Sequence, residues 1–475
     1  MIPIITLRLR RTMTTRLLRV GAVAALALLA GCSADPLEIR DYNRPTVDGV
    51  AKDPNGSLQL LATGLLDAER DQWAGMVNDF GYFGRESYQY STTDARSVSN
   101  YLIGIAGPRL DPAGFAAGNW AGRFSQMRNV NAFNAIVDKT TFPDGQKRAA
   151  KGFANTLYAM QVLYLLISRD TLGTPITITD VITEPAPFVT RDSAYKFAIA
   201  TLESAKADLV AAGAAAFPFT MHSGFAGFNT PATFLRFNRA IAARANNYRG
   251  SMGCGAPCYQ AALTALSETW VPGLGSAVTR TSLDVGVYHI FSATAGDTQN
   301  GASATVNGQL YAHAQPTRSA QAGDLRVAKV TALATPVPAP GGFGVNATHR
   351  FAIYPAPTST GPLVRAEELM LLRAEANIMT GNAAAALQDV NAVRTVSGGL
   401  TALGSLGATQ AAQLDAMFYE KWLSLLFEGH RWHDMRRYGR LGTLPLDQTN
   451  HFVARVMPIP VAECNARVAS PPNGC

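Results

Sequence analysis

The stretch Leu363–Gly399 reads LVRAEELMLLRAEANIMTGNAAAALQDVNAVRTVSGG, and the spacing of its apolar residues decides the fold class. From Leu363 to Met379 apolar side chains recur three and four residues apart, the pattern of one buried helical face. Thr380-Gly381-Asn382 interrupts that pattern, and Ala383 to Val396 resumes it with Leu387, Val390 and Val393 inward. Two helices joined by so short a break fold back on each other as an αα-hairpin. The pair is about the size of a tetratricopeptide unit, whose period is about 34 residues.

Working outward, the same rule recurs. Ser57–Val77 places Leu58, Leu61, Leu65 and Ala68 on one face, and Gly118–Asp138 does so with Trp120, Phe124, Met127, Val130 and Ile136. Ala149–Ser168, Asp192–Ala211 and Thr230–Tyr248 follow, and nothing comparable argues for a sheet. The expected fold is mostly α, a tetratricopeptide-like scaffold of helical hairpins. Between residues 271 and 362 the pattern gives way to Gly, Ala, Thr, Ser and Pro, as in GDTQNGASATVNGQ (Gly296–Gln309) and ATPVPAPGGFG (Ala334–Gly344). Irregular chain of that length is more often functional than accidental. It reads as a loop-rich excursion from the scaffold.

Composition bounds the rest. The 475 residues are 47% hydrophobic, ample for a core, and the formal net charge is +7. That charge is local: Arg8, Arg10, Arg11, Arg16 and Arg19 precede any acid, and without these five the 41 Lys+Arg fall to 36 against 34 Asp+Glu. A nucleic-acid partner is therefore not expected. The arginines are followed by the eleven-residue apolar run Val20–Ala30, too short for the roughly 20 residues that cross a bilayer. Residues 1–31 read as an export signal, with Met13 as an alternative start. The ending Leu29-Ala30-Gly31-Cys32 resembles the lipobox of bacterial lipoproteins, which makes Cys32 the lipidated residue. Residues 32–55, broken by Pro36, Pro45 and Pro54, read as a tether, and residues 56–475 as a single α domain.

Export places the remaining cysteines in an oxidising compartment. They form two local pairs, Cys254 with Cys258 and Cys464 with Cys475, expected as disulfides, with a zinc site as the alternative reading of the first pair. Sequence alone leaves three connectivities open.

Four blocks, in order, resemble the SusD/RagB family of surface lipoproteins: LEIRDYNRPT (Leu37–Thr46), AKGFANTLYAMQVLYLLISRDTLGTPI (Ala150–Ile176), the helix pair quoted first, and YEKWLSLLFEGHRWHDMRRYG (Tyr419–Gly439) followed by MPIPVAECN (Met457–Asn465). Lys421 stands where the family usually has Arg and Ser424 where it usually has Glu, and the tail Cys464–Cys475 looks like a local addition. The resemblance implies a tetratricopeptide-like α scaffold with a ligand face built from loops. It further implies a lipid-anchored protein on the outer face of the outer membrane. There it would lie as a lid over a SusC-like TonB-dependent transporter, capturing oligosaccharides or peptides without cleaving them. The alternative is a tetratricopeptide-like protein-interaction scaffold of the cell envelope.

FEGHRWHDMRRYGR (Phe427–Arg440) crowds arginines, histidines and carboxylates. On a helix Glu428, Arg431, Asp434 and Arg437 are spaced by three, so they read as a ladder of alternating charge, a structural ion network rather than a reaction centre. His430 and His433 read as helix-surface residues; no metal and no cofactor is expected. Neither GxSxG, HExxH nor GxxxxGK[ST] occurs, so the chain is not expected to be an enzyme. A sugar or peptide binder needs aromatic faces beside polar groups. Two clusters offer them: Tyr82, Tyr88, Tyr90, Asp94, Arg96 and Asn100 in one, and Trp270, Tyr288, His289, Tyr311 and His313 in the excursion. Trp120 and Trp422 read as core.

Overall fold

A computed structural model describes residues 47–104, 110–179, 184–342 and 344–475. The chain divides into two compact units at Asp53/Pro54. In the first, the described residues include a short helix, Val47–Lys52, so the end of the expected tether is helical rather than irregular. Cys32, the export signal and the Leu37–Thr46 block lie outside the described residues.

The second unit is an array of helices in which each packs on the next: α1 (Pro54–Phe83), α2 (Ala121–Lys139), α3 (Asp144–Arg169), α4 (Arg191–Ala211), α5 (Pro231–Arg249), α6 (Ala256–Ser267), α7 (Ala366–Met379) and α8 (Ala383–Val396). Helix α9 (Gln410–Ser424) covers α7 and α8, and the short α10 (Arg431–Arg437) returns to α1. The array is consistent with the mostly helical, tetratricopeptide-like expectation. Among the described residues, no helix is long and apolar enough to cross a membrane.

Local chemistry starts these helices where it should. Thr190, Asn382 and Thr409 each accept a hydrogen bond from a main-chain N–H in the first turn of α4, α8 and α9. At α5, Thr230 and Thr233 form a reciprocal cap, with Pro231 in the first turn. Helix α3 is buried at nearly every position from Ala149 onward, which makes it the spine of the core. The disulfide Cys254–Cys258, with Cα atoms 5.8 Å apart, braces the turn from α5 into α6.

Two expectations fail for physical reasons. Helix α7 starts at Ala366, not Leu363, because Gly361–Arg365 is a strand antiparallel to Gly286–His289. Gly286 permits that pairing: a Cβ there would lie 2.4 Å from the Val364 carbonyl oxygen. The excursion is also not merely loops. Ser87–Gln89 (β1), Leu310–Ala312 (β2), Val330–Val337 (β3) and Ala347–Phe351 (β4) form an antiparallel sheet in the order β1-β2-β4-β3. Tyr88 pairs with Tyr311, and His349 faces both Ala312 and Ala332. Strands of three to eight residues separated by glycine-rich turns are too short to show alternation in sequence.

The crowded stretch at α10 is structural, but not as the expected ladder. Glu428 lies before the helix and pairs with Arg365 (2.7 Å), not with Arg431. Arg431 donates to the Arg85 carbonyl (3.3 Å) and to Gln315 Oε1 (2.7 Å), with its guanidinium over the Trp422 ring. Asp434 and Arg437 do pair (2.7 Å), and Arg437 also makes a two-point contact with Glu375 of α7, while Lys421 of α9 reaches Asp434 at 2.9 Å. His430 and His433 are buried, not on the helix surface: His433 packs 4.3 Å from the Tyr248 ring. Burial alone would push the Arg437 guanidinium down; Glu375 and Asp434 reverse this and hold it well above its usual range. Arg437→Ala removes the forked partner of Glu375 and leaves Lys421 to face both buried carboxylates. Chemical denaturation should show a loss of about 3–5 kcal/mol, the cost of breaking a buried pair by removing one partner.

Candidate functional site

The solvent-facing side of α1 brings Gln72, Gly75, Asn78 and Asp79 into one line, while Trp73, Met76, Val77 and Phe80 of the same helix point into the core. Opposite stand Phe115, Asn119 and Trp120 at the entrance to α2, with Glu463 closing the far side. The cleft between them has a volume of about 770 Å³. A smaller groove of about 290 Å³, lined by Ser91, Asp94, Ser97 and Gln309, joins it through Gln89, Tyr101 and Phe115.

Buried groups hold this shape. Arg169, at the end of α3, donates to the carbonyls of Ala117 (2.9 Å), Gly118 (2.8 Å) and Asn119 (3.1 Å), and lies over the Trp120 ring. It fixes the loop that carries the cleft's rim. Burial pushes its guanidinium down to about 9, which Asp79 partly offsets. Asn119 sits in the left-handed region at φ 54° and donates to Asp79 Oδ2 (2.6 Å), while the Tyr101 hydroxyl donates to Oδ1 (2.8 Å). Gly122 lets Gln72 lie flat, since a Cβ there would stand 2.6 Å from Gln72 Oε1.

What remains open to a ligand is specific. Phe115 is 44% exposed with Arg96 across one face, which leaves the other as a stacking platform. Asn78 Oδ1 accepts no hydrogen bond. Trp120 offers no free face: it stacks on Phe188 with ring centroids 5.8 Å apart, lies under Arg169, and spends its indole N–H on Glu463 at 3.3 Å. The helix Val461–Asn465, which carries Glu463, continues into the loop closed by the Cys464–Cys475 disulfide, Cα atoms 5.6 Å apart.

The sequence-selected residues are divided by this arrangement. Asp94 lines the groove, held by Arg96 in a two-point contact. Asn100 does not face the cleft but accepts from the Asp111 N–H (3.1 Å), anchoring the turn that leads to Phe115. Tyr82, Tyr88, Tyr90 and Tyr311 are a correction: all four are buried. Tyr88 stacks on Tyr90 and gives its hydroxyl to Asp447, and Tyr90 donates to the Val345 carbonyl (2.6 Å). Pairing Tyr88 of β1 with Tyr311 of β2 turns these two rings inward, with Tyr90 one residue past β1, whereas Tyr82 is buried as part of α1. His313 is buried beside them and bonds Asp447 through Nε2 (2.9 Å). His289 is buried against Trp73, 6.0 Å away. Trp270 bonds the Val285 carbonyl, Tyr288 bonds the Asp284 carbonyl, and neither lines the cleft. The excursion supplies one lining residue, Gln309; Phe115 and Glu463, which sequence reasoning passed over, supply more. Among the described residues, no cluster of three or more His, Cys, Asp or Glu is arranged to hold a metal.

Comparison with known proteins places the C-terminal part of the chain and its fold beside known ones. Residues 356–465 match the SusD family model, and the fold over nearly the whole chain is that of solved SusD-like proteins. NanU of Bacteroides fragilis superposes with a TM-score of 0.66 at 15% identity, covering 91% of this chain and all of that one. Surface glycan-binding protein A of Bacteroides uniformis gives 0.65 at 16%, covering 88% and 99%. A SusD-like carbohydrate binding protein of Bacteroides vulgatus gives 0.60 at 16%, covering 81% and 83%. No curated protein matches the sequence. Within the SusD-matched stretch lie α7–α10 and the Glu463 wall, whereas Gln72, Asp79, Phe115 and Trp120 fall outside it.

Burial pushes the Asp79 carboxyl up to about 7, against the opposing pull of Tyr101, Arg169 and Asn119. A carboxyl raised on folding binds a proton more tightly in the folded state. Its contribution to stability is therefore fully present below the unfolded value near 4 and lost as pH rises through about 7. Asp79→Asn should flatten the fall in stability between about pH 4 and 7 by roughly 1–2 kcal/mol, discounted because the side chain keeps some exposure. Urea denaturation across that range checks it. A slope remains in the variant, because Glu86, pushed up to about 8 by burial, acts in the same direction.

Proposed function

We propose that this SusD-like protein captures oligosaccharides in the cleft between α1 and the entrance to α2, and that its role is binding rather than catalysis. The observation that carries this reading is the pairing of an exposed aromatic platform, Phe115, with the unpartnered amide oxygen of Asn78 and the carboxyl groups of Asp79 and Glu463 in one cleft of suitable size. An apolar sugar face packs on such a ring while its hydroxyls donate to carboxylates and amide oxygens. Relatives of the same fold are named as surface glycan-binding proteins. The lipobox-like Leu29–Cys32 supports anchoring at the outer membrane by a lipid on Cys32, facing the exterior. From there the captured sugar is handed to a TonB-dependent transporter of the SusC type. Residues 56–475 act as one binding body, and the disulfides Cys254–Cys258 and Cys464–Cys475 brace it.

A ligand that binds only the folded state raises its melting temperature by mass action. A thermal-shift and calorimetric panel of plant, microbial and host oligosaccharides, with a peptide mixture alongside, should return a glycan hit. Phe115→Ala should weaken that hit about tenfold, the loss of one stacking contact of about 1.4 kcal/mol, with the melting temperature of the free protein unchanged. No hit on any glycan, together with co-purification of envelope proteins other than a transporter, would replace this reading with the interaction scaffold. Tyr88→Ala, by contrast, should act on the fold: with its ring buried and stacked, truncation should cost about 3 kcal/mol in stability.

A further inference from the structure

One wall of the cleft is held by a run of contacts that ends in a covalent ring. Glu463 stands between two donors: Trp120 gives its indole N–H to Oε2 at 3.3 Å, and Arg467, four residues further along, gives its Nε–H to Oε1 at 2.6 Å. The Arg467 guanidinium also lies over Phe188, 4.9 Å from the ring centroid, and Phe188 stacks on Trp120, which in turn carries Arg169. Arg169 fixes the carbonyls of Ala117, Gly118 and Asn119 at the rim. Guanidinium, phenyl and indole thus link Arg467 to the rim. The segment around Arg467 is mostly exposed: Val468 is 80% exposed, and residues 469–471 and 473–475 are exposed with it. What closes it is the Cys464–Cys475 disulfide, which begins at the residue after Glu463. Gly474, at φ 95°, seats the ring against Leu172 beyond α3, where a Cβ would stand 3.0 Å from Leu172 Cδ2.

We infer that the Cys464–Cys475 ring is a positioning device for the ligand wall, and that Arg467 is the residue through which it acts on Glu463. The inference rests on the glycan-capture reading and names a positioning element for that same cleft. A cross-link between residues 11 apart removes most of the shapes the loop would otherwise sample. With the loop confined, Arg467 stays over Phe188 and Glu463 stays at the Trp120 indole. Once opened, the loop gains freedom that ligand binding has to remove again, so a wall ordered in advance favours affinity. Arginine suits this position because its planar cation stacks on a ring and donates from an edge at the same time, which lysine does not. The other disulfide, Cys254–Cys258, braces the turn from α5 into α6, and neither of its cysteines lines the cleft or the groove. It serves as an internal control.

The test uses the full-length chain in detergent, carrying isotope-labelled tryptophan for NMR and titrated with maltohexaose, xylohexaose and mannohexaose, then with the wider oligosaccharide panel. The Trp120 indole N–H signal is assigned by its loss in Trp120→Phe. Arg467→Met and the double variant C464S/C475S should each speed hydrogen exchange at that indole and weaken the glycan that binds about fivefold, well below the melting temperature of either variant. C254S/C258S should lower the melting temperature and leave both the exchange rate and the affinity as they were. Unchanged exchange in Arg467→Met and C464S/C475S overturns the inference whatever binds, and leaves sugar capture standing. Faster exchange with unaltered affinity overturns it as well, because the wall is then loose without consequence for the ligand. The same two losses in C254S/C258S reduce the effect to general destabilisation and also overturn it. Binding of no glycan by the unaltered chain overturns the capture reading, and the inference falls with it.

Discussion

The two-point contact between Arg437 and Glu375 is the interaction on which the rest depends. It ties α10 to α7, and through Asp434 and Lys421 it ties both to α9. The neighbouring Arg365–Glu428 pair and Arg244–Glu368 pair, each at 2.7 Å, join the same helices to the strand Gly361–Arg365 and to α5. Charges taken out of water are costly, and each pair here is satisfied by forked geometry and further hydrogen bonds. Such contacts have no slack. They fix the angle at which α10 returns to α1, and α1 carries one side of the cleft.

The helices were legible because their apolar faces repeat. Ala383–Val396 and Asp192–Ala211 need no partner to show their period, and the structure places the corresponding ends within a residue or so. Leu363–Arg365 was misread because three apolar or charged residues before a helix look like its first turn; only pairing with Gly286–His289 makes them a strand. The ladder at Glu428–Arg437 was half right for a similar reason. Spacing of three reports which charges can meet along one helix, but Glu428 lies before that helix and its nearest cation, Arg365, comes from 63 residues away.

The cleft was harder to read. Tyrosines in a segment without helical period suggested a binding face, yet a three-residue strand was enough to turn Tyr88 and Tyr90 into the core. Phe115 drew no notice because one aromatic among glycine and alanine has no pattern; it matters because Asn100 and Arg96 hold it out in solvent. Asp94, chosen as a polar neighbour of those tyrosines, does line the groove, because its pairing with Arg96 two residues on is local and needs no tertiary context.

The bond between Trp120 and Glu463 spans 343 residues of chain. Closing so long a loop carries an entropic cost that local helix formation does not, and contacts of this separation tend to form late. Helices α3 to α8 can pair with their sequence neighbours long before that closure. Closure of the Glu463 wall is thus expected to follow helix pairing, so that a chain caught partway through folding would be helical and compact but without a finished cleft.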